Sequence, residues 1–150
     1  MSTVTPFLWF NDKAGEAAAR YLEIFPGSRR LGGGSFDNAG PALNETVSLV
    51  TIELQGTPVT LFNGGPHFKL SEAFSFSVSC KDQAEIDYYW NALVEGGRES
   101  QCGWLVDRYG VSWQIVPENL GELVRHPKAM KAMMQMVKLD IATLEAAAKS

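Results

Sequence analysis

Histidine and cysteine are scarce in this chain, with two of each among 150 residues. Cys80 and Cys102 have no CxxC spacing, which excludes a disulfide framework and reads as reduced thiols of a cytoplasmic protein. An excess of positive charge is also missing. The formal net charge is -4, and without a basic face nucleic acid is excluded as the main partner. No apolar run approaches the ~20 residues needed to cross a bilayer, so no membrane partner is expected. The first residues, Met1 to Pro6, carry neither a basic region nor an apolar core, so no export signal is expected. What remains is ordinary globular composition, 45% hydrophobic and 20% charged. That length and balance suit one domain spanning 1–150 that buries its core without disulfide or metal support.

Two stretches of the chain follow the same order. In the first, Val4 to Phe10 is a short apolar and aromatic run with Pro6 near its start, a strand by composition. Asn11-Asp12 offers a helix N-cap, and Ala14, Ala17, Ala18, Tyr21, Leu22 and Phe25 follow at helical spacing until Pro26-Gly27 stops them. Leu31 to Phe36 is rich in glycine and reads as a weak strand or a loop. Glu45 to Leu54 alternates as a strand does, and Gln55-Gly56 is a two-residue connection into Pro58 to Asn63. After a loop opened by Gly64-Gly65-Pro66 the order restarts. Ala73 to Cys80 alternates apolar and small polar residues. Asp82 with Glu85 forms a capping-box variant ahead of a helix face of Ile86, Tyr89, Trp90 and Leu93, and Gly96-Gly97 ends it. Short strands around Glu99 to Val106 and Val111 to Val116 flank the turn at Asp107 to Gly110.

Asp12 and Asp82 stand 70 residues apart, as do Gly27 and Gly97, and Gly56 and Gly110 each precede the last strand of a half. Three aligned punctuation points predict a duplication. The expected class is α+β: paired βαβββ modules, about 1–66 and 67–117, whose curved mixed sheets enclose a cavity, with C-terminal helices over 118–150. Those helices are expected at Glu118 to Val124, Lys128 to Val137 and Ile141 to Lys149. Met130, Met133, Met134 and Val137 form an apolar stripe expected to pack on the sheet or on a partner subunit.

Three segments resemble a known family: TPFLWFNDKAGEAAARYLEIFPGS (Thr5 to Ser28), LFNGGPHFKLSEAFSFSVSCKDQAEIDYYWNAL (Leu61 to Leu93) and QCGWLVDRYGVSWQIVP (Gln101 to Pro117). They are similar to the PhnB-like proteins of the vicinal-oxygen-chelate superfamily, which also holds glyoxalases, bleomycin-resistance proteins and dioxygenases. PhnB-like members often carry the name demethylubiquinone methyltransferase. The resemblance implies the paired βαβββ fold and a homodimer. In metal-dependent members of the superfamily it further implies His, Gln or Glu ligands at four strand positions. By the register above these fall on Thr5, Thr60, Ser75 and Gln114. A divalent ion needs three or four nitrogen or oxygen donors converging at about 2.0–2.2 Å, and neutral hydroxyls with one amide are poor donors for it. No metal and no cofactor are expected.

The same strands carry rings and neutral polar groups. Phe7 and Trp9 share the face of Thr5, Phe62 and Asn63 stand beside Thr60, Ser77 shares the face of Ser75, and Trp104 and Trp113 neighbour Gln114. An apolar wall with a few hydrogen-bonding groups is how small organic ligands are held, although Phe7, Phe62 and Trp113 serve equally well as core filler. His67 in the glycine-rich loop is the best titrating candidate for a general base, against the plainer reading of a solvated histidine. Cys102 is a weaker nucleophile candidate. Asp12, Asp82 and Glu85 read as helix caps rather than catalysts.

These features predict a metal-free protein that binds, or weakly transforms, a small apolar or aromatic molecule. A lyase or dioxygenase with atypical ligands such as His67, Asn63 and Gln114 is the alternative. Methyl transfer is disfavoured, because Gly32-Gly33-Gly34 lacks the strand–turn–helix context of a cofactor loop. A purely structural dimer module is the last alternative.

Overall fold

The computed structural model describes residues 2–37 and 46–150; the expected strand start at Glu45 lies outside them. The chain forms two compact units, Met1–Leu70 and Ser71–Ser150.

The first unit runs β1 (Phe7–Phe10), α1 (Ala14–Ile24), β2 (Arg29–Asp37), β3 (Thr46–Leu54) and β4 (Thr57–Asn63). Its sheet has the order β1-β4-β3-β2, with β1 parallel to β4 and the other pairs antiparallel. Successive strand residues face opposite sides. Leu8, Phe10, Val50, Ile52, Val59 and Leu61 are buried on one side, together with Ala14, Ala17, Ala18, Tyr21 and Ile24 of α1. Small alanines let the helix approach β3 and β4 closely, and this is the unit's core. Gln55 and Gly56 both have positive φ, 49° and 94°. That is the mirror-image turn whose twist matches a hairpin, so the expected two-residue connection forms.

The glycine-rich segment is a nine-residue strand, not the weak strand or loop that its composition suggests. Pairing with the long β3 outweighs glycine's poor strand propensity. The close approach even requires glycine: Gly33 has φ 147°, and a Cβ there would stand 2.6 Å from the Leu49 carbonyl oxygen. A register shift between Arg30 and Gly32 marks a bulge at Leu31.

The second unit runs β5 (Ser75–Cys80), α2 (Gln83–Val94), β6 (Arg98–Glu99), β7 (Trp104–Val106) and β8 (Ser112–Pro117). Then come α3 (Leu120–Leu123), α4 (Pro127–Met134) and α5 (Ile141–Lys149). Its sheet order, β5-β8-β7-β6, repeats that of the first unit, again with one parallel pair, β5 with β8. Phe7 pairs with Thr60 and Ser77 with Gln114. The residues of those two pairs keep the same spacing between units as Asp12 and Asp82 and as the turn glycines, so the duplication extends to register.

Asp82 accepts the Glu85 N–H at 2.9 Å while Glu85 accepts the Lys81 N–H at 2.8 Å, completing a capping box ahead of α2. After α2 the left-handed residue is Gly96, φ 79°. Gly97 is needed for a different reason, because a Cβ there would collide with the Val106 carbonyl.

The C-terminal helices enclose a cluster of Val116, Leu123, Leu139 and Leu144, with Met133 and Met136 packed against it. Two helices are shorter than their apolar patterns suggest. α4 stops at Met134 rather than running to Val137, because the carbonyls of Met136 and Val137 accept the N–H groups of Cys102 and Gly103. The expected methionine stripe is divided accordingly: Met133 is covered, while Met130 and Met134 are 38% and 60% exposed. Among the described residues, no helix is long and apolar enough to cross a membrane.

Candidate functional site

The helix-covered side of each sheet is core, so the other side is where a ligand could be met. In the first unit that side carries Phe7, Trp9, Thr51, Thr60 and Phe62. The Phe62 ring lies 5.4 Å from Phe7 and 5.3 Å from Trp9, and Trp9 meets Phe68 edge-on at 5.0 Å. The Trp9 indole N–H is anchored on the Gly65 carbonyl at 2.9 Å. Gly64 makes this possible, because a Cβ there would collide with both the Trp9 and Phe62 rings. Phe7 remains 56% and Phe68 65% exposed, so this aromatic surface stays open rather than filling the core. Beside it the Thr60 and Thr51 hydroxyls are 2.8 Å apart, bonded to each other.

The second unit places different chemistry on the matching side. Ser75, Ser77, Ser112, Gln114 and Trp104 share it, by the pairings of Ser75 with Ser112, Ser77 with Gln114 and Trp104 with Gln114. The Gln114 side-chain amide donates to the Ser75 hydroxyl at 3.0 Å. Ser112 is buried, and its hydroxyl is the one buried side-chain polar atom without a partner among the described residues. Sequence reading passed over Thr51 and Ser112. Stepping two residues along the strand from Gln114 finds Ser112, and the face shared with Leu49 finds Thr51.

Several other candidates have structural roles. Trp113 lies on the helix-covered side, 1% exposed, packed on Phe76 at 4.9 Å. Its indole N–H donates to Asp107 at 2.9 Å. Asp107, buried and read from the sequence only as the start of a turn, also accepts the N–H groups of Tyr109 and Val111 at 2.8 and 3.0 Å. Trp113 is therefore separated from Gln114 by the sheet, because neighbours along a strand point opposite ways. Asn63 accepts the Ala14 N–H at 2.7 Å and so caps α1. The expected cap, Asp12, is displaced: the N-cap residue is Lys13, which makes no side-chain cap bond.

Thr5 is exposed and precedes β1 rather than lying in it. His67 is exposed in the loop after Gly65. Cys102 sits half-buried in a left-handed backbone conformation, φ 59°. Burial, with the nearby carboxylates of Glu85 and Asp82, pushes the Cys80 thiol up to about 12, so Cys80 is an inert filler. His126 lines a surface cavity of about 320 Å³ with Glu122, Glu145 and Lys149, beside α3 and α5.

A transition ion does not suit the donor set at the four superfamily positions. Thr5, Thr60, Ser75 and Gln114 offer no charge and no imidazole. Thr60 is bonded to Thr51, and Ser75 to Gln114, so Thr60, Ser75 and Gln114 already have partners suited to neutral hydrogen bonding. Among the described residues, no three His, Cys, Asp or Glu side chains form a group that could hold a metal ion.

Comparison with known proteins extends this picture. Residues 2–116 match the model of the family described as 3-demethylubiquinone-9 3-methyltransferase. No curated protein matches the chain. Among solved structures, a PhnB protein from Bacillus cereus, described with the same methyltransferase name, is 29% identical with a TM-score of 0.69; the alignment covers 77% of this chain and 99% of that one. A protein from Pseudomonas aeruginosa is 22% identical, TM-score 0.58, covering 78% and 98% of the two chains. The fosfomycin resistance protein FosX from Listeria monocytogenes, solved with Mn(II) and sulfate, is 12% identical, TM-score 0.60, covering 82% and 97%. At that identity FosX is similar in fold alone.

Proposed function

This chain belongs to the 3-demethylubiquinone-9 3-methyltransferase family of PhnB-like proteins, within the vicinal-oxygen-chelate superfamily, and we propose that it binds a small organic molecule on an open sheet face without a metal ion. One observation carries the reading: the four superfamily ligand positions hold hydroxyls and an amide, and three of the four are already engaged in neutral hydrogen bonds. On the first unit's face Phe7, Trp9 and Phe62 offer ring area and Thr60 a hydroxyl; on the second unit's face Trp104 offers ring area and Ser75, Ser77 and Gln114 offer orientation. That division between apolar area and a few polar groups is usual for small-molecule sites.

The activity in the family's description would need a site for a methyl donor. Gly32-Gly33-Gly34 lies inside β2, paired with β3, and does not join a strand to a helix. Nothing in the described residues therefore supports methyl transfer over binding. The homodimer implied by the resemblance belongs to the same proposal, and light scattering at twice the chain mass is the expected result.

The test has two arms. Elemental analysis of purified protein is expected to find no stoichiometric nickel, zinc, manganese or iron; a stoichiometric ion lost with His67→Ala would overturn the reading. In a thermal-shift screen of metabolites, a ligand at a hundred times its Kd stabilises by about 2.7 kcal/mol. Gln114→Ala is expected to abolish that rise for a ligand of the second unit's face and Trp9→Ala for one of the first unit's face; a rise that survives both variants would place the ligand elsewhere.

A further inference from the structure

We propose that the open face of the second unit's sheet recognises an uncharged, flat molecule bearing a carbonyl group, with Ser112 as a hidden donor and Gln114 as the side chain that uncovers it. This deepens the small-molecule reading above and rests on it.

The starting point is the Ser112 hydroxyl, 1% exposed and without a hydrogen-bond partner. Buried side-chain polar atoms are nearly always partnered, and one left alone is destabilising, so an orphan asks for an explanation. Ser112 is no random core position. It stands opposite Ser75 in the β5–β8 ladder, with Ser77 opposite Gln114 one step along. The Gln114 amide reaches back along the diagonal of that square to the Ser75 hydroxyl, 3.0 Å away. Its bond therefore runs beside Ser112. Gln114 itself is only half-buried, so an outward turn of its side chain would open a single part-buried hydrogen bond. Three kinds of donor would then face an incoming oxygen: the hydroxyls of Ser112 and Ser75 and the amide N–H groups of Gln114.

The charge pattern selects the ligand. The uncovered strand residues of this face are Ser75, Ser77, Ser79, Ser112 and Gln114 with Trp104 and Val106, while Val116 at its end lies under the C-terminal helices. The charged residue that shares it, Arg98 on edge strand β6, is paired with Glu72. A carboxylate or phosphate entering here would lose water without finding a free cation. A carbonyl oxygen needs only donors. Trp104, opposite Gln114 on β7, offers a ring against which a flat molecule can lie.

Isothermal titration calorimetry with a matched pair, 4-hydroxyacetophenone and 4-hydroxybenzoate, tests the proposal. The neutral ketone is expected to bind saturably and at least tenfold more tightly than the carboxylate. Ser112→Ala is expected to weaken ketone binding at least fivefold while leaving the melting temperature unchanged or higher, since it removes no internal bond. A merely structural serine would give the opposite pair of results. The proposal falls if Ser112→Ala leaves ketone affinity intact or lowers the melting temperature by several degrees. It falls equally if the carboxylate binds as well as the ketone, or if neither binds. The last two outcomes leave the metal-free reading standing wherever other metabolites show Gln114-dependent stabilisation, whereas a stoichiometric metal ion would remove that reading itself.

Discussion

The two units share a scaffold and differ in what they show on its open side. On the covered side, Leu8, Phe10 and Leu61 of the first unit correspond by register to Val78, Cys80 and Ile115 of the second, all buried. On the open side, Phe7, Trp9 and Thr60 correspond to Ser77, Ser79 and Gln114. One set is mainly aromatic, the other hydroxyl and amide. The difference teaches where a duplicated sheet is constrained. A covered residue must match a helix in volume, whereas an open residue answers to whatever meets that face. One motif can therefore carry an aromatic open face in one copy and a hydroxyl-and-amide open face in the other.

The largest expected effect tests the shared half of that comparison. Leu61 and Ile115 are equivalent and each is 0% exposed. Truncation to alanine at either is expected to cost about 2–5 kcal/mol, through lost transfer free energy and the cavity left behind. Urea denaturation of Leu61→Ala and Ile115→Ala should give comparable losses. A loss well below 1 kcal/mol at one position would show that the matching register conceals unequal cores.

An intermediate effect concerns how each unit starts its helix. In the second unit the cap is local: Asp82 takes the Glu85 N–H. In the first unit Asn63, at the end of β4, takes the Ala14 N–H. Asp82→Ala and Asn63→Ala are each expected to cost about 0.5–2 kcal/mol. Asn63→Ala should in addition raise amide exchange in both the first turn of α1 and the end of β4, because that bond ties strand to helix. Protection lost in α1 alone would mean that the strand end is held independently.

The same contrast explains what the sequence disclosed. Asp82 with Glu85, the Gln55-Gly56 turn and the alternation of β3, β4 and β5 are local patterns, and local patterns can be read. The cap from Asn63 joins positions 49 residues apart, so the nearer Asp12 looked the better candidate. Gly32 to Gly34 reads as loop because a glycine's own propensity says so, while its strand pairing depends on β3. Trp113 beside Gln114 suggested a shared surface, yet alternation sends the indole to Asp107 on the covered side. Of the open-face residues, Thr60 and Gln114 were legible as neutral groups at superfamily positions, and Trp9 as a ring on the face of Thr5. Ser112 was not, since nothing in its type distinguishes a hydroxyl that lacks a partner.

The smallest expected effect probes a feature that only the second unit has, the C-terminal segment returning to α2. α1 carries the short-range ion pairs Lys13–Glu16 and Arg20–Glu23. α2 instead holds Lys138 on Asp87 at 2.6 Å, and Gln83 bonds both to the Leu139 carbonyl and to the Ile141 N–H. The hydrogen bond from Lys138, reinforced by one from Gln83, holds the Asp87 carboxyl below its ordinary value of 3.8. A carboxyl lowered in the folded state stabilises the fold above its unfolded value, and that contribution fades as pH falls through the folded one. Lys138→Met should therefore raise the Asp87 midpoint in a carbon-13 NMR titration. The melting-temperature gap between Lys138→Met and the parent should be present at pH 7 and shrink below about pH 4. The pair is solvent-exposed and screened, so the gap should also narrow in high salt. A gap independent of both pH and salt would mean that Lys138 holds the segment through its aliphatic stem, and the ion pair would then be incidental to the way the second unit secures its C-terminal helices.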